Sequence, residues 1–434
     1  MNIVKRFLTT SKDVEKSGAF WNMVASVFFS FQQVLFSMVM THVLPKTEAQ
    51  LMSGIFAIGY ADANLFLCLG KYGMRFFQVS DVDREYNFRE YRVGRLITTI
   101  CMTVVSIVYV VVISNLNGYT VNKAMIILWI CLLKVPDAFE DIYFGEYQKN
   151  ERLDIASKMW GTRYIATIIL MVIMIIVTKN LLFTLIVSTV FTYIVMAVYL
   201  IMTKEFVSER EPYDMKRVWK QLLVTFPLAL GGFLTFYIGV APRNAIDNMI
   251  GDDTIQAVYN YLAMPVFVVQ MMVTFVFNPR IYHISCLWNE KKISEYIKET
   301  MKQVAFVVVI TIICIIGAAL LGVPVLSMLF NLDLAPYKAD LLIMLIGSGC
   351  LGLATLLANL LTVMRYQNAI LAGYAITAIV ALLFSNKAVA AYGIRGAVVF
   401  YVAILFLQSM IFVAEFIYGV IKNRKPVEKT SAEN

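Results

Sequence analysis

The sequence predicts an all-α polytopic membrane protein with twelve transmembrane helices in two six-helix bundles. Three observations lead there. Of 434 residues, 60% are hydrophobic and 15% are charged, whereas soluble domains are nearer half apolar and a quarter charged. The apolar residues gather in runs of about 20, each long enough to cross roughly 30 Å of hydrocarbon at about 1.5 Å per residue. The basic residues between those runs fall overwhelmingly on alternate gaps.

Taken in order, the predicted spans are 18–40, 49–69, 96–114, 122–143, 161–178, 181–203, 222–241, 255–277, 304–322, 339–362, 368–385 and 396–417. Residues 1–17 are polar and basic, and the run after them has full span length, which reads as a span and not a signal sequence. One set of gaps, with both termini, carries 29 Lys and Arg; the opposite set carries seven, and Lys134 lies within a span. The positive-inside rule makes the first set cytoplasmic. Loops facing an anionic leaflet account for the net charge of +8 without any nucleic-acid partner. The expected location is a bacterial cytoplasmic membrane with both termini inside.

The chain divides into an N-terminal bundle (1–203), a polar linker (204–221), a C-terminal bundle (222–417) and a tail (418–434). In each half the second span is followed by a long polar segment, 70–95 and 278–303. Six spans per half return the chain to the same side, so any pseudo-symmetry axis runs along the membrane normal, as in parallel transporter repeats. The segment 70–95 holds six basic residues and four acids, and reads mainly as an interfacial, orienting loop.

Charges inside spans point to function, because each costs about 2.5–3.5 kcal/mol on insertion scales and faces a protein interior or a wet cavity. In span 2, Asp62 either binds a coupling ion or proton, or hydrogen-bonds a neighbouring helix. In span 4, "ILWICLLKVPDAFEDIYFGEY", Lys134, Asp137 and Asp141 share one face at i, i+3 and i+7. Lys134 and Asp137 are expected to form an internal ion pair lining a cavity, with Pro136 a possible kink. Glu140 and Asp141 are expected at the interface. At the end of span 7, Arg243 and Asp247 are helical neighbours at i, i+4, either at the mouth of a translocation path or as an outer-surface pair. Gln32 and Gln33 read as interhelical hydrogen bonds.

Six cysteines without metal or disulfide spacing, and two distant histidines, suggest no metal site. No Walker A sequence is present, so no ATP motor is encoded, and no catalytic constellation points to an enzyme or a cofactor. A transporter driven by an ion gradient or by substrate flow is the economical reading.

Four stretches carry a family resemblance: "IFAIGYADANLFLCLGKYGMRFFQVSD" (55–81), "YFGEYQKNERLDIASK" (143–158), "VAPRNAIDNMI" (240–250) and "MPVFVVQMMVTFVFNPRI" (264–281). With the twelve-span layout, the chain resembles a polysaccharide repeat-unit flippase of the O-antigen (Wzx) type. That family lies in the multidrug/oligosaccharidyl-lipid/polysaccharide exporter superfamily. Lys71 departs from the family pattern, which has Arg there.

The resemblance implies two bundles around a central cationic cavity. It implies alternating access that moves a polyprenyl-pyrophosphate-linked oligosaccharide from the inner to the outer leaflet. Arg75, Lys134, Arg243 and Asp247 are then the substrate-binding candidates, since Arg suits phosphate through its planar fork. Asp62 and Asp137 are the candidates for coupling to H+ or Na+. Glycan polymerase machinery is a possible partner. The rival readings are a multidrug or cation antiporter of the same fold, a membrane glycan polymerase or ligase, and a non-transporting scaffold of glycan assembly.

Overall fold

A computed structural model describes residues 2–424 apart from 117, 208–211, 251–252, 264 and 331–333. Among these residues the chain is helical throughout, with no strands. The helices are α1 (Asn2–Thr9), α2 (Val14–Val43), α3 (Lys46–Lys71), α4 (Met74–Val79), α5 (Phe88–Leu116), α6 (Val121–Lys149), α7 (Leu153–Thr178) and α8 (Leu181–Thr203). They continue as α9 (Met215–Met249), α10 (Asp253–Ala263), α11 (Val266–Phe277), α12 (Ile281–Asn289), α13 (Ile293–Gly317), α14 (Val323–Phe330), α15 (Lys338–Val363) and α16 (Gln367–Arg424).

All twelve predicted spans fall on helices. Nine described helical stretches are long and apolar enough by themselves to cross a bilayer. One of the nine, α16, holds two spans separated at Gly393, whose φ of 60° and ψ of −140° interrupt the helix. The eighth span is divided by Pro265 into the short helices α10 and α11. The fourth, α6, is a continuous helix whose apolar run is broken by its own charges, Lys134, Asp137, Glu140 and Asp141. Pro136 sits inside α6 without ending it.

Local sequence sets the helix ends. Thr120 and Asn180 cap α6 and α8 by accepting the N–H groups of Lys123 and Phe183. Tyr72 and Gly73 both adopt left-handed backbone, φ 53° and 62°, and separate α3 from α4. The segment 70–95 is thus helical at both ends, where an interfacial loop was expected. Two of its four acids, Asp81 and Glu90, are structural. Asp81 accepts the N–H of Glu85 (2.9 Å), the N–H of Tyr86 (3.1 Å) and the hydroxyl of Tyr91 (3.0 Å). Asn87 and Glu90 form a reciprocal capping box at the start of α5.

The chain forms two compact units, Met1–Gly232 and Phe233–Asn434, so the division falls within α9 and beyond the polar linker. In the N-terminal unit α2 lies along α7, α3 along α6, and α5 against both α3 and α6. Lipid tails are as apolar as leucine, so tight packing holds such helices together rather than water exclusion. Gly18 of α2 meets the start of α7, and Gly161 of α7 meets Trp21 of α2; a Cβ at either would lie 3.1–3.2 Å from its neighbour. The unit's core includes Phe36, Phe56, Ile126, Ile130 and Met171. A second cluster at its loop-bearing end joins Leu8, Phe77, Tyr91, Tyr147 and Val218.

In the C-terminal unit α15 is central, packed against α11, α13 and α16, around Leu341, Met344, Tyr401 and Leu405. Both units repeat one order of elements: the helix that ends the second span of the unit, a short helix, then a long helix (α3–α4–α5 and α11–α12–α13). Outward faces are apolar, as with Val104, Val108 and Val111 on α5 and Ile312, Ile313 and Ile316 on α13. A bilayer is the solvent such faces require.

Candidate functional site

The site is a buried charge network in the N-terminal unit, and α6 supplies its spine. Lys134, Asp137, Glu140 and Asp141 lie on one face of that helix and all are buried. Opposite them α7 contributes Arg163 and Tyr164. From α3 and α4 come Tyr60, Lys71 and Arg75; from α5, Arg95; from α2, Gln32.

Two carboxylates share Arg163. Its guanidinium lies 2.5 Å from Asp137 and 2.8 Å from Glu140, with every side chain of the trio at most 2% exposed. Asp137 also accepts a short hydrogen bond from the Tyr164 hydroxyl and lies 3.6 Å from the Lys134 ammonium. Asp141 pairs with Arg95 at 3.0 Å and approaches Arg75 at 3.9 Å. Arg95 donates a further bond to the Gly70 carbonyl at 2.7 Å. Arg75 donates to Gln148 at 3.0 Å, and its Nε has no protein acceptor.

Beside these groups lies a small open cleft of about 30 Å3. Its charged walls are Lys71, Arg75 and Arg163 against Asp137, Glu140 and Asp141; Phe144 and Trp160 complete it. With Arg95 and Lys134 just behind, five cations surround three carboxylates. Such a network survives in hydrocarbon because its carboxylates are each paired with an arginine; an unpaired buried charge would cost several kcal/mol.

Of the residues expected from sequence, Arg75, Lys134 and Asp137 come together here. Asp62 does not join them: its carboxylate meets the Tyr109 hydroxyl at 3.5 Å on another face of α3. Arg243 lies on α9 in the C-terminal unit and is exposed, and the side chain of Asp247 falls outside the described residues. Gln32 makes the interhelical bonds expected of it, to Lys134 and Tyr60. Glu140 and Asp141 depart from expectation. They are interior partners of Arg163 and Arg95, not interfacial charges, because α6 continues as buried helix to Lys149. Sequence reasoning missed Arg95 and Arg163 by counting them as loop cations. The available signal was the acid excess of span 4, three carboxylates to one lysine, which demands cations from neighbouring helices.

No protein-family model matches the chain. A mutant of the Vibrio cholerae MATE transporter VcmN superposes with a TM-score of 0.74 at 13% identity, covering 94% of this chain and 97% of that one. An outward-facing multidrug resistance MATE family transporter of the MOP superfamily gives 0.68 at 12% identity, over 97% and 99%. The fold is that of MATE transporters. A MOP superfamily transporter from Pyrococcus furiosus, described as having a binding pocket of reverse polarity, matches with a TM-score of 0.69 at 13% identity over 97% and 99%. In sequence, the capsular polysaccharide biosynthesis protein CapF of Staphylococcus aureus is 23% identical over 266 residues, 61% of this chain. The match spans 65% of CapF's length. This chain is therefore a multi-pass membrane protein with a transporter fold, twelve transmembrane spans in two bundles.

Proposed function

We propose that this protein is a flippase carrying a polyprenyl-pyrophosphate-linked oligosaccharide from the inner to the outer leaflet of a bacterial cytoplasmic membrane by alternating access. The observation that carries this reading is the charge of the cleft region: five cations (Lys71, Arg75, Arg95, Lys134, Arg163) to three carboxylates. A pyrophosphate-linked glycan brings at least two negative charges, and a net-positive, partly wet region lowers their desolvation cost. Arg75 is the contact best suited to the anion. It lines the cleft, and its Nε–H is a donor without a protein acceptor. Its planar fork fits phosphate oxygens. The named role of CapF in capsular polysaccharide biosynthesis supports the same substrate class.

Export of organic cations by the same fold is the second reading, favoured by the multidrug neighbour and by the buried acids. The charge balance opposes it, since a cation's path should carry the opposite sign.

The test is complementation of a flippase-null strain whose lipid-linked repeat unit is quantified on each leaflet. The wild type should clear the inner-leaflet pool, and Arg75→Glu should leave it accumulated at equal expression. Accumulation with the wild type in a host making a suitable glycan, together with drug resistance in a pump-deficient strain, would replace this reading with the second.

A further inference from the structure

The ammonium of Lys134 is held as a bound cation would be. It is 1% exposed and sits at the middle of a membrane-spanning helix. Three oxygens accept from it: Tyr60 Oη at 2.9 Å, Gln32 Oε1 at 3.0 Å and Tyr164 Oη at 3.3 Å. Asp137 supplies a carboxylate at 3.6 Å. Three aromatic rings close the cage, with the Nζ 4.4 Å from the Tyr60 centroid, 4.9 Å from Phe29 and 5.3 Å from Tyr164. The hydroxyl protons are directed away from the ammonium. Tyr60 donates its own to Gln32, and Tyr164 donates its own to Asp137. Each tyrosine oxygen therefore turns its lone pairs toward the nitrogen.

Four elements, α2, α3, α6 and α7, thus converge hard oxygen donors and one carboxylate on a point occupied by a side chain. An ordinary buried lysine needs its three protons satisfied and a counter-charge; here both are supplied at one point by four separate helices, and the Phe29 ring is added at 4.9 Å. Asp137 and Glu140 carry two negative charges and Arg163 between them one positive, so one negative charge is left to balance the ammonium, which suits a monovalent ion, not a divalent one. A void lined by Gln32, Arg163, Tyr164, Thr167 and Thr192 adjoins the ammonium and adds two further hydroxyls. The other charged groups packed nearby are Glu140, on α6 and paired to Arg163, and Lys71, whose ammonium lies 5.5 Å from the Phe29 ring centroid.

We infer that Lys134 is a tethered cation filling a monovalent-cation site, which makes the N-terminal bundle independent of free Na+ and K+. The claim concerns this bundle alone and stands whichever substrate the protein carries. Shortening Lys134 should vacate the cage and convert it into a true alkali-cation site.

The experiment uses the full chain purified in detergent, measuring thermal unfolding and 22Na+ binding in sodium, potassium or choline chloride at matched ionic strength. The wild type should give one Tm in all three salts and bind no 22Na+. Lys134→Ala should unfold earlier in choline and recover by about 3 °C or more in Na+ or K+, with saturable binding. Adding Asp137→Asn should abolish that recovery. Lys134→Met keeps the cage filled without charge and should show no cation response. A saturable Na+ or K+ response of the wild type that Asp137→Asn removes would overturn the inference. So would a Lys134→Ala protein whose Tm and yield of monodisperse material are the same in all three salts, or a Lys134→Met response equal to that of Lys134→Ala.

Discussion

Replacing Arg163 by methionine is the sharpest test of the charge network. The guanidinium bridges Asp137 at 2.5 Å and Glu140 at 2.8 Å, and all three side chains are at most 2% exposed. Methionine keeps much of the volume and removes the charge. Asp137 would retain Lys134 at 3.6 Å. Glu140 would retain nothing, since its second oxygen already lacks a partner. Breaking a buried pair from one side costs about 3–5 kcal/mol. For a unit of this size that corresponds to a Tm loss of roughly 6–20 °C. The assay is thermal unfolding of purified protein in one detergent, with single and double variants compared.

The second substitution carries the discrimination. Glu140→Gln added to Arg163→Met removes the uncompensated charge and should restore at least half of the loss. Asp137→Asn added instead strips Lys134 of its carboxylate and should restore none. If Arg163→Met stays within about 0.5 kcal/mol of the wild type, or if Asp137→Asn rescues as well as Glu140→Gln, the assignment of partners is wrong.

Three further outcomes follow from the same geometry. Arg95→Met loses the bonds to Gly70 (2.7 Å) and Asp141 (3.0 Å) from a wholly buried side chain, and should destabilise by about 3–5 kcal/mol in the same assay. Gly73→Ala must hold φ near 62° and place a Cβ 2.6 Å from that of Leu228; the backbone cost alone is about 1–2 kcal/mol, and Leu228→Ala, which keeps the contacting Cβ, should relieve none of the loss. Glu90→Gln weakens the 2.8 Å pair with Arg217, whose side chain is half exposed, and keeps a side-chain acceptor for the capping box. Its effect on Tm should therefore correspond to less than about 1 kcal/mol.

The spans were legible because hydrocarbon is an unforgiving solvent: it demands long apolar runs, and such runs stand out in any sequence. Even the eighth span, which the fold divides at Pro265, was recoverable from its total apolar length. The charged network was only half legible. Lys134 and Asp137 declare themselves by sitting in a span, and their i, i+3 spacing places them on one face. Glu140 and Asp141 follow on that face but lie nearer the helix end. A sequence alone cannot separate a carboxylate that reaches water from one covered by another helix. Their cover, Arg163 and Arg95, sits at the edges of other spans, where a positive-inside count absorbs it. The acids of 70–95 were misleading for the same reason. Asp81 and Glu90 look like loop charges until the turn geometry shows them accepting backbone N–H groups.

The two units share an order of helices but not an electrostatic character. Among the described residues, the buried charged side chains of the N-terminal unit run from Asp81 and Glu90 through the α6 set to Asp154, Lys158 and Arg163, whereas in the C-terminal unit Asp340 stands alone. A repeated backbone explains the shared order, since helix lengths and short connecting helices are dictated by the bilayer. It places no demand on interior chemistry, and interior charge is retained only where a network satisfies it. Residue identity between the halves is accordingly poor where the helix order is the same. The difference is measurable. Asp340 faces Arg395 at 3.8 Å, and that arginine is 65% exposed, so screening leaves little to lose. Asp340→Asn should shift stability by less than about 1 kcal/mol in the assay that reads Arg163→Met at several times that value. Equal losses at the two positions would mean that the interior charge of the N-terminal bundle is ordinary packing, and would remove the electrostatic ground for placing the chemistry there.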